Sequence, residues 1–201
     1  HGMLNAWALK RSRLKKVLAW HLWELNALKH SSCIHALSET ESSFIREKNL
    51  SVPIAKISNG TNVPSINKSG KISKNFYLGK ESYTSKTLLF LGRFHEVKGI
   101  HLLIDAWKSI TNEAIAHNWW LVLVGYGDNG ELYKKVKSEK DNGFLKRVSV
   151  LGPVFDEEKE SCFLSSTAYI LPSLSEAMPI SALEAMSYKL PCILSRACNL
   201  S

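Results

Sequence analysis

The sequence holds no apolar run that could cross a bilayer: the longest, such as residues 119–124, fall far short of the roughly 20 residues a spanning helix needs. It has no secretory or transit pattern at its start, no internal repeat and no low-complexity tract. Cysteine is scarce. The four present, Cys33, Cys162, Cys192 and Cys198, form no C-x-x-C pair and stand mostly among apolar residues. They read as small core residues in a reducing compartment, so neither a disulfide framework nor a structural zinc is expected, and a cytoplasmic location is. The chain opens on His1 rather than Met, which leads us to expect a piece of a longer protein.

What is present is an ordinary globular composition, with 45% hydrophobic and 22% charged residues over 201 positions. That length can bury one sizeable core, or a core plus part of a second. The formal charge of +8 is uneven, because Lys10, Arg11, Arg13, Lys15 and Lys16 crowd one short segment. Such a cluster suits an anionic membrane surface or a polyanion, and equally a solvated helix face.

Apolar residues at spacings of three and four (Leu14, Val17, Leu18, Leu22, Leu25, Leu28) predict one helix, or two in succession, over 8–29. A short strand follows over 34–37, then a helix opened by Ser38-Glu39-Thr40-Glu41 and carrying Phe44 and Ile45. A strand over 53–57 stops at the Asn59-Gly60 turn. Residues 61–85 lose periodicity and collect Asn, Ser, Lys and Gly, which marks a domain boundary. We therefore expect a partial first domain over 1–62, a linker over 63–85 and a second domain over 86–201. In that second domain apolar strands over 87–91, 120–124, 148–151, 168–171 and 192–194 alternate with helices over 99–110, 131–140, 157–165 and 179–188. Continuously apolar strands separated by helices predict a parallel sheet covered on both faces, an α/β fold.

In such a sheet, ligands gather beyond the carboxyl ends of the strands. The loop over 92–99 carries Gly92, Arg93, Lys98 and Gly99 there. Arg93 can fork onto phosphate oxygens and Lys98 can add a point charge, so the loop reads as an anion site, or equally as a surface loop in which Arg93 pairs with Glu96. Gly125, Gly127 and Gly130 match G-x-G-x-x-G literally, but after a second strand and without a well-placed acidic residue, so a nicotinamide site is not expected. The most informative residues are Glu176 and Glu184, with seven residues between them. Over 177–194 the only charged side chains are Glu184 and Lys189, and no neighbouring cation offers itself as a partner. A carboxylate in a mostly apolar helix needs one, and a ligand hydroxyl would serve. Cations for a diphosphate together with carboxylates for hydroxyls point to a nucleotide sugar.

The Glu176 to Glu184 E-x7-E motif, the block from Phe90-Leu91-Gly92-Arg93 to Lys98-Gly99, Leu123 to Asp128 and Leu151-Gly152-Pro153 together resemble the retaining glycosyltransferases of family four. Upstream, His1-Gly2-Met3-Leu4, residues 38–41 and 57–60 resemble the second half of that family's acceptor-side domain. The resemblance implies the GT-B fold, here as a nearly complete C-terminal Rossmann-like donor domain plus the second half of the N-terminal one. It implies that Arg93 and Lys98 bind the donor diphosphate, Glu184 the ribose, and Glu176 the transferred sugar with the Ala177 and Met178 amides. His1 would reach the sugar, Gly92 and Gly125 would line the nucleotide pocket, and Gly152, Pro153 and Val154 would meet the base. The implied partners are a nucleotide-diphosphate sugar and a glycan or lipid-linked acceptor, with no cofactor. No D-x-D motif is present, and no metal ion is expected. The 201-residue chain alone is expected to be weakly active or inactive. The competing classes are a basic module binding nucleic acid or membrane without catalysis, and a phosphorylase or sugar phosphate transferase on the same fold. No interleaved aromatics support nucleic-acid binding.

Overall fold

The computed structural model describes residues 23–62, 85–127 and 130–200. His1, the basic cluster from Lys10 to Lys16, most of the helix expected over 8–29 and nearly all of the linker lie outside the described residues. The chain divides into two compact units, one comprising described residues 23–60, 174–179 and 196–200, the other 61–62, 85–127, 130–173 and 180–195.

The first unit holds α1 (Leu25–Lys29), β1 (Ile34–Ala36), α2 (Glu39–Glu47) and β2 (Ile54–Lys56). Strands β1 and β2 pair in parallel, with Ile34 opposite Ile54. Helix α2 starts where its sequence signal lies. Ser38 is extended and its hydroxyl accepts from Glu41 N at 3.2 Å, while the Glu41 carboxylate accepts from Leu37 N at 2.8 Å. One backbone donor that helix geometry leaves open, Glu41 N, is thereby satisfied, along with the Leu37 N–H just before the cap. Ala36, Ile45 and Leu50 form the core, with Leu25, Leu28, Ile34 and Ile54 packed on it.

The second unit is built on β3 (Lys86–Leu91), β4 (Trp119–Val124), β5 (Val148–Leu151), β6 (Ala168–Leu171) and β7 (Cys192–Leu194). All pair in parallel in the order β5-β4-β3-β6-β7. Between them run α3 (Ile100–Ser109), α4 (Thr111–Ala116), α5 (Glu131–Asp141), α6 (Asp156–Leu164) and α7 (Ile180–Ser187). The strands are apolar at successive positions because both faces are covered: Leu88 to Phe90 and Leu121 to Val124 are all buried. Helix α3 buries Ile100, Leu103, Ile104 and Trp107, the three-and-four spacing of one helical face. The first strand of the unit, β3, lies beside the fourth, β6. Strand order reverses there, and a parallel sheet opens a crevice at that point.

Three details differ from the sequence reading. The helix expected over 99–110 stops at Ser109, and a separate α4 follows, which short length and mixed polarity had hidden. One-turn 3₁₀ segments form at Glu96–Lys98 and Arg196–Cys198. Cys33 is exposed rather than a core residue, whereas Cys162 and Cys198 are buried, Cys192 is half-buried, and all four are free thiols.

Candidate functional site

The loops leaving β5, β4 and β3 are joined by backbone hydrogen bonds, so the carboxyl rim of the sheet is continuous. Gly125 N donates to Gly152 O at 3.2 Å, Gly92 N to Val124 O at 3.0 Å and Phe94 N to Tyr126 O at 2.6 Å. Three glycines are required by this closeness, one of them Gly127, where a Cβ would collide with the Phe94 carbonyl. Gly125 has φ +141°, and a Cβ there would collide with the Gly92 carbonyl. Gly99 has φ +67°, and a Cβ there would collide with the Pro172 carbonyl, which brings the β3 loop against the β6 loop at the reversal point. Both conformations are ones that only glycine adopts without strain. Gly130 does precede α5, with φ +67°. The glycines of the literal G-x-G-x-x-G are thus accounted for by loop packing and a helix start.

Arg93 is exposed on this rim, and none of the ion pairs among the described residues joins it to Glu96. The Arg93–Glu96 pairing is thus not formed, although both side chains lie at the surface. His95 Nδ1 accepts from Val97 N at 3.1 Å and caps the 3₁₀ turn that ends at Lys98. The turn brings Lys98 back over Gly92, with Cε 4.0 Å from where a Gly92 Cβ would sit. Arg93 and Lys98 are thus held by one short, capped loop. A Cβ on Gly152 would meet nothing within 4 Å, so space opens above the β5 end, beside exposed Pro153 and half-buried Val154.

Glu184 corrects the sequence reading. It does have a cationic partner within the chain: Lys159 Nζ of α6 donates to Glu184 Oε1 of α7 at 2.6 Å. The helix is also less buried than its composition suggested, since Ile180 and Met186 are exposed while Ala182 and Ala185 face inward. The pair is partly enclosed, with 35% of the Lys159 and 19% of the Glu184 side chain exposed. Both line a cavity of about 380 Å³ shared with Thr61, Asn62, Asp156, Glu157, Glu160, Phe163 and Tyr188. Phe163 and Tyr188 stack at 5.2 Å to form its aromatic wall. Burial, then the charge and hydrogen bond of Glu160, then the charge of Glu184 push the Tyr188 hydroxyl pKa up, so it stays a donor.

Glu176, Ala177 and Met178 belong to the first unit. Glu176 is held through its backbone: its N–H donates to Ala197 O at 3.0 Å and its carbonyl accepts from Asn199 Nδ2 at 2.7 Å. Asn59 Nδ2 donates to Met178 O at 3.3 Å. Sequence reasoning missed Asn199 as a support for Glu176, and it took Asn59 only for a turn residue. It also missed Lys159, Tyr169 and Ser181. Tyr169, fully buried on β6, reaches Ser181 Oγ of α7 at 2.8 Å and the Leu91 carbonyl at 3.4 Å. A lone tyrosine in an apolar strand was the available signal, since a buried phenol needs a partner. Among the described residues no group of three His, Cys, Asp or Glu is placed to hold a metal ion. None of their helices is long and apolar enough to cross a membrane.

The α/β fold with its parallel sheets is that of the GT-B glycosyltransferases, with a Rossmann-like second unit. The family model for glycosyl transferases group 1 matches residues 78–201, and the chain belongs to that family. It is 29% identical over 194 residues to the UDP-Gal:alpha-D-GlcNAc-diphosphoundecaprenol alpha-1,3-galactosyltransferase of Escherichia coli, covering 92% of this chain and 48% of that protein. It is 27% identical over 164 residues to an uncharacterized glycosyltransferase of Haemophilus influenzae, covering 80% of this chain and 40% of the relative. The crystal structure of WaaG, a glycosyltransferase involved in lipopolysaccharide biosynthesis, shares the fold with a TM-score of 0.71 at 19% identity, over 96% of this chain and 52% of WaaG. The chain thus spans about two fifths to one half of the length of these curated relatives.

Proposed function

We propose that the protein containing this chain transfers a sugar from a nucleoside-diphosphate sugar to a hydroxyl of a glycan or lipid-linked acceptor, with retention of anomeric configuration, in polysaccharide assembly. The observation that carries this reading is the exposed Arg93 on the loop that closes against Pro172 where the sheet order reverses. Arg93 and Lys98 bind the diphosphate, with Gly92 and Gly125 lining the nucleotide pocket. Gly152, Pro153 and Val154 meet the base, and Glu184 takes the ribose hydroxyls. Glu176 and the Ala177 and Met178 amides bind the transferred sugar, with His1. Residues 1–62 belong to an acceptor-side domain and 86–201 to the donor-binding domain.

The chemistry follows from the charges. As the bond from the anomeric carbon to the diphosphate oxygen breaks, negative charge builds on that oxygen and positive charge on the sugar ring. Arg93 and Lys98 stabilise the leaving oxygen without a metal ion or cofactor, and the acceptor oxygen enters on the same face, passing its proton to the departing phosphate. Loss of one such contact to the leaving group costs about 3–4 kcal/mol. The E. coli relative is named for a UDP-galactose donor and a diphosphoundecaprenol-linked acceptor, so UDP-sugars and lipid diphosphates are the first substrates to try. The basic cluster from Lys10 to Lys16 rests on an anionic membrane at its cytoplasmic face, where such an acceptor resides.

The test is a panel of UDP-, GDP- and ADP-sugars with the full-length protein, scored by nucleotide release and by NMR of the product's anomeric configuration. Transfer to a glycan or lipid acceptor with retention is expected. Consumption of inorganic phosphate or a sugar phosphate in place of the acceptor would assign a phosphorylase or sugar phosphate transferase. Because relatives are about twice as long, the 201-residue chain alone is expected to turn over weakly or not at all.

A further inference from the structure

Lys159 is not part of the E-x7-E motif, and its pair with Glu184 sits in an acidic setting. Asp156, Glu157, Glu160 and Glu184 line the same cavity, and Lys159 is the only basic residue among the described residues that line it. A nucleoside diphosphate approaching that wall brings further negative charge. Half-enclosed Glu160 and Glu184 repel it more strongly than exposed Asp156 and Glu157, because water screens them less.

We propose that Lys159 is a positioning residue for nucleotide binding: it anchors Glu184 through Oε1 and offsets the acidic wall, which sets how strongly the site prefers ribose over deoxyribose. This rests on the reading of Glu184 as the carboxylate that takes the ribose hydroxyls. An ionised carboxylate offers about four acceptor positions, and Lys159 occupies one. Its hold therefore leaves acceptors for two neighbouring hydroxyls. Glu184 is a long side chain on a partly exposed helix face, and without Lys159 it must be ordered by the ligand itself at a cost in rotamer freedom. The partner is a charge-assisted hydrogen bond from a different helix, so Glu184 is oriented before the ligand arrives.

The opposite relation is physically distinct. If ribose had to displace Lys159 from Glu184, removing the lysine would tighten binding rather than weaken it.

The experiment measures, by calorimetry on the full-length protein, the dissociation constants of UDP, GDP and ADP, then of the tightest of these against its 2′-deoxy counterpart. Lys159→Met is expected to weaken the ribonucleotide about tenfold, as loss of one charge-assisted hydrogen bond does, and to weaken the deoxynucleotide by no more than about threefold. The ribose preference therefore narrows. Lys159→Arg should restore most of it. In a Glu184→Gln background, Lys159→Met should leave the ratio where it already is, an outcome that general loss of packing would not produce. Thermal melts of each variant check that the fold is kept. A ratio unchanged by Lys159→Met, or tighter ribonucleotide binding, overturns the positioning role while leaving the site reading intact. Failure of all three nucleotides to bind the unaltered protein overturns both.

Discussion

The hydroxyl of Tyr169 lies 2.8 Å from that of Ser181 and 3.4 Å from the Leu91 carbonyl, so one buried side chain on β6 ties the end of β3 to the first turn of α7. Arg93 follows Leu91 by two residues, and Glu184 follows Ser181 by three. The two charged groups proposed for the nucleotide site are therefore held in a common frame by a phenol.

Tyr169→Phe is expected to lower stability by about 1–2 kcal/mol, since Ser181 and Leu91 lose a buried partner while the ring stays packed. Denaturant unfolding measures it. Ser181→Ala should cost less, because the phenol keeps the Leu91 carbonyl. The double variant should cost less than the sum of the two, as residues sharing one hydrogen bond do. Additive losses would show that the hydroxyls act independently.

Arg93→Ala should reduce kcat in the full-length protein by about 10² to 10³, the scale of losing one contact to a charge that grows in the transition state. Glu184→Ala should also cut turnover sharply, with a larger share appearing as raised KM for the donor, because ribose hydroxyls are bound before and during reaction. Steady-state kinetics at several donor concentrations separate the two. Unchanged kinetics in both variants would remove the basis for the site.

Gly99→Ala and Gly125→Ala should each destabilise by at least about 1–3 kcal/mol from the backbone alone, with the collisions against Pro172 and Gly92 added. Gly152→Ala is the control. It stands in open space, so its change in stability should stay within about 0.5 kcal/mol. Chemical unfolding of the three variants side by side tests the ranking.

The thiols should differ in reactivity. Burial, with a smaller contribution from the charge of Glu158, pushes the Cys162 pKa up from 9.0 to about 12. At pH 8 exposed Cys33 should react first with a maleimide, and Cys162 should react only on unfolding. The raised pKa also has a stability consequence. Between about 9 and 12 the folded protein keeps the Cys162 proton while the unfolded chain releases it, so stability falls as pH rises through that window. Cys162→Ala should flatten that decline in urea melts taken across the window, whereas an equal decline in both proteins would assign it elsewhere.

The elements of the second unit were readable because their signals are local. An apolar run bounded by turn residues marks a buried strand, and the strand expected over 120–124 is Trp119–Val124. Ser38 and Glu41 announced the start of α2 in the same way. The partner of Glu184 was not readable from its neighbourhood. Lys159 lies 25 positions earlier, in a run of acidic residues, and only the packing of α6 beside α7 brings the two together. Asn199 was hidden for a similar reason, since its tie to the Glu176 carbonyl spans 23 positions. Residue type reveals that a buried phenol or carboxylate needs company, whereas the identity of that company depends on how helices dock on the sheet.

The seam of main-chain hydrogen bonds along the carboxyl rim uses atoms that every residue possesses. Apart from its tight glycines, a lineage can exchange side chains along these loops without breaking the seam. Such a seam fixes the path of the main chain, so the chemistry carried on these loops can vary independently of the scaffold that presents it.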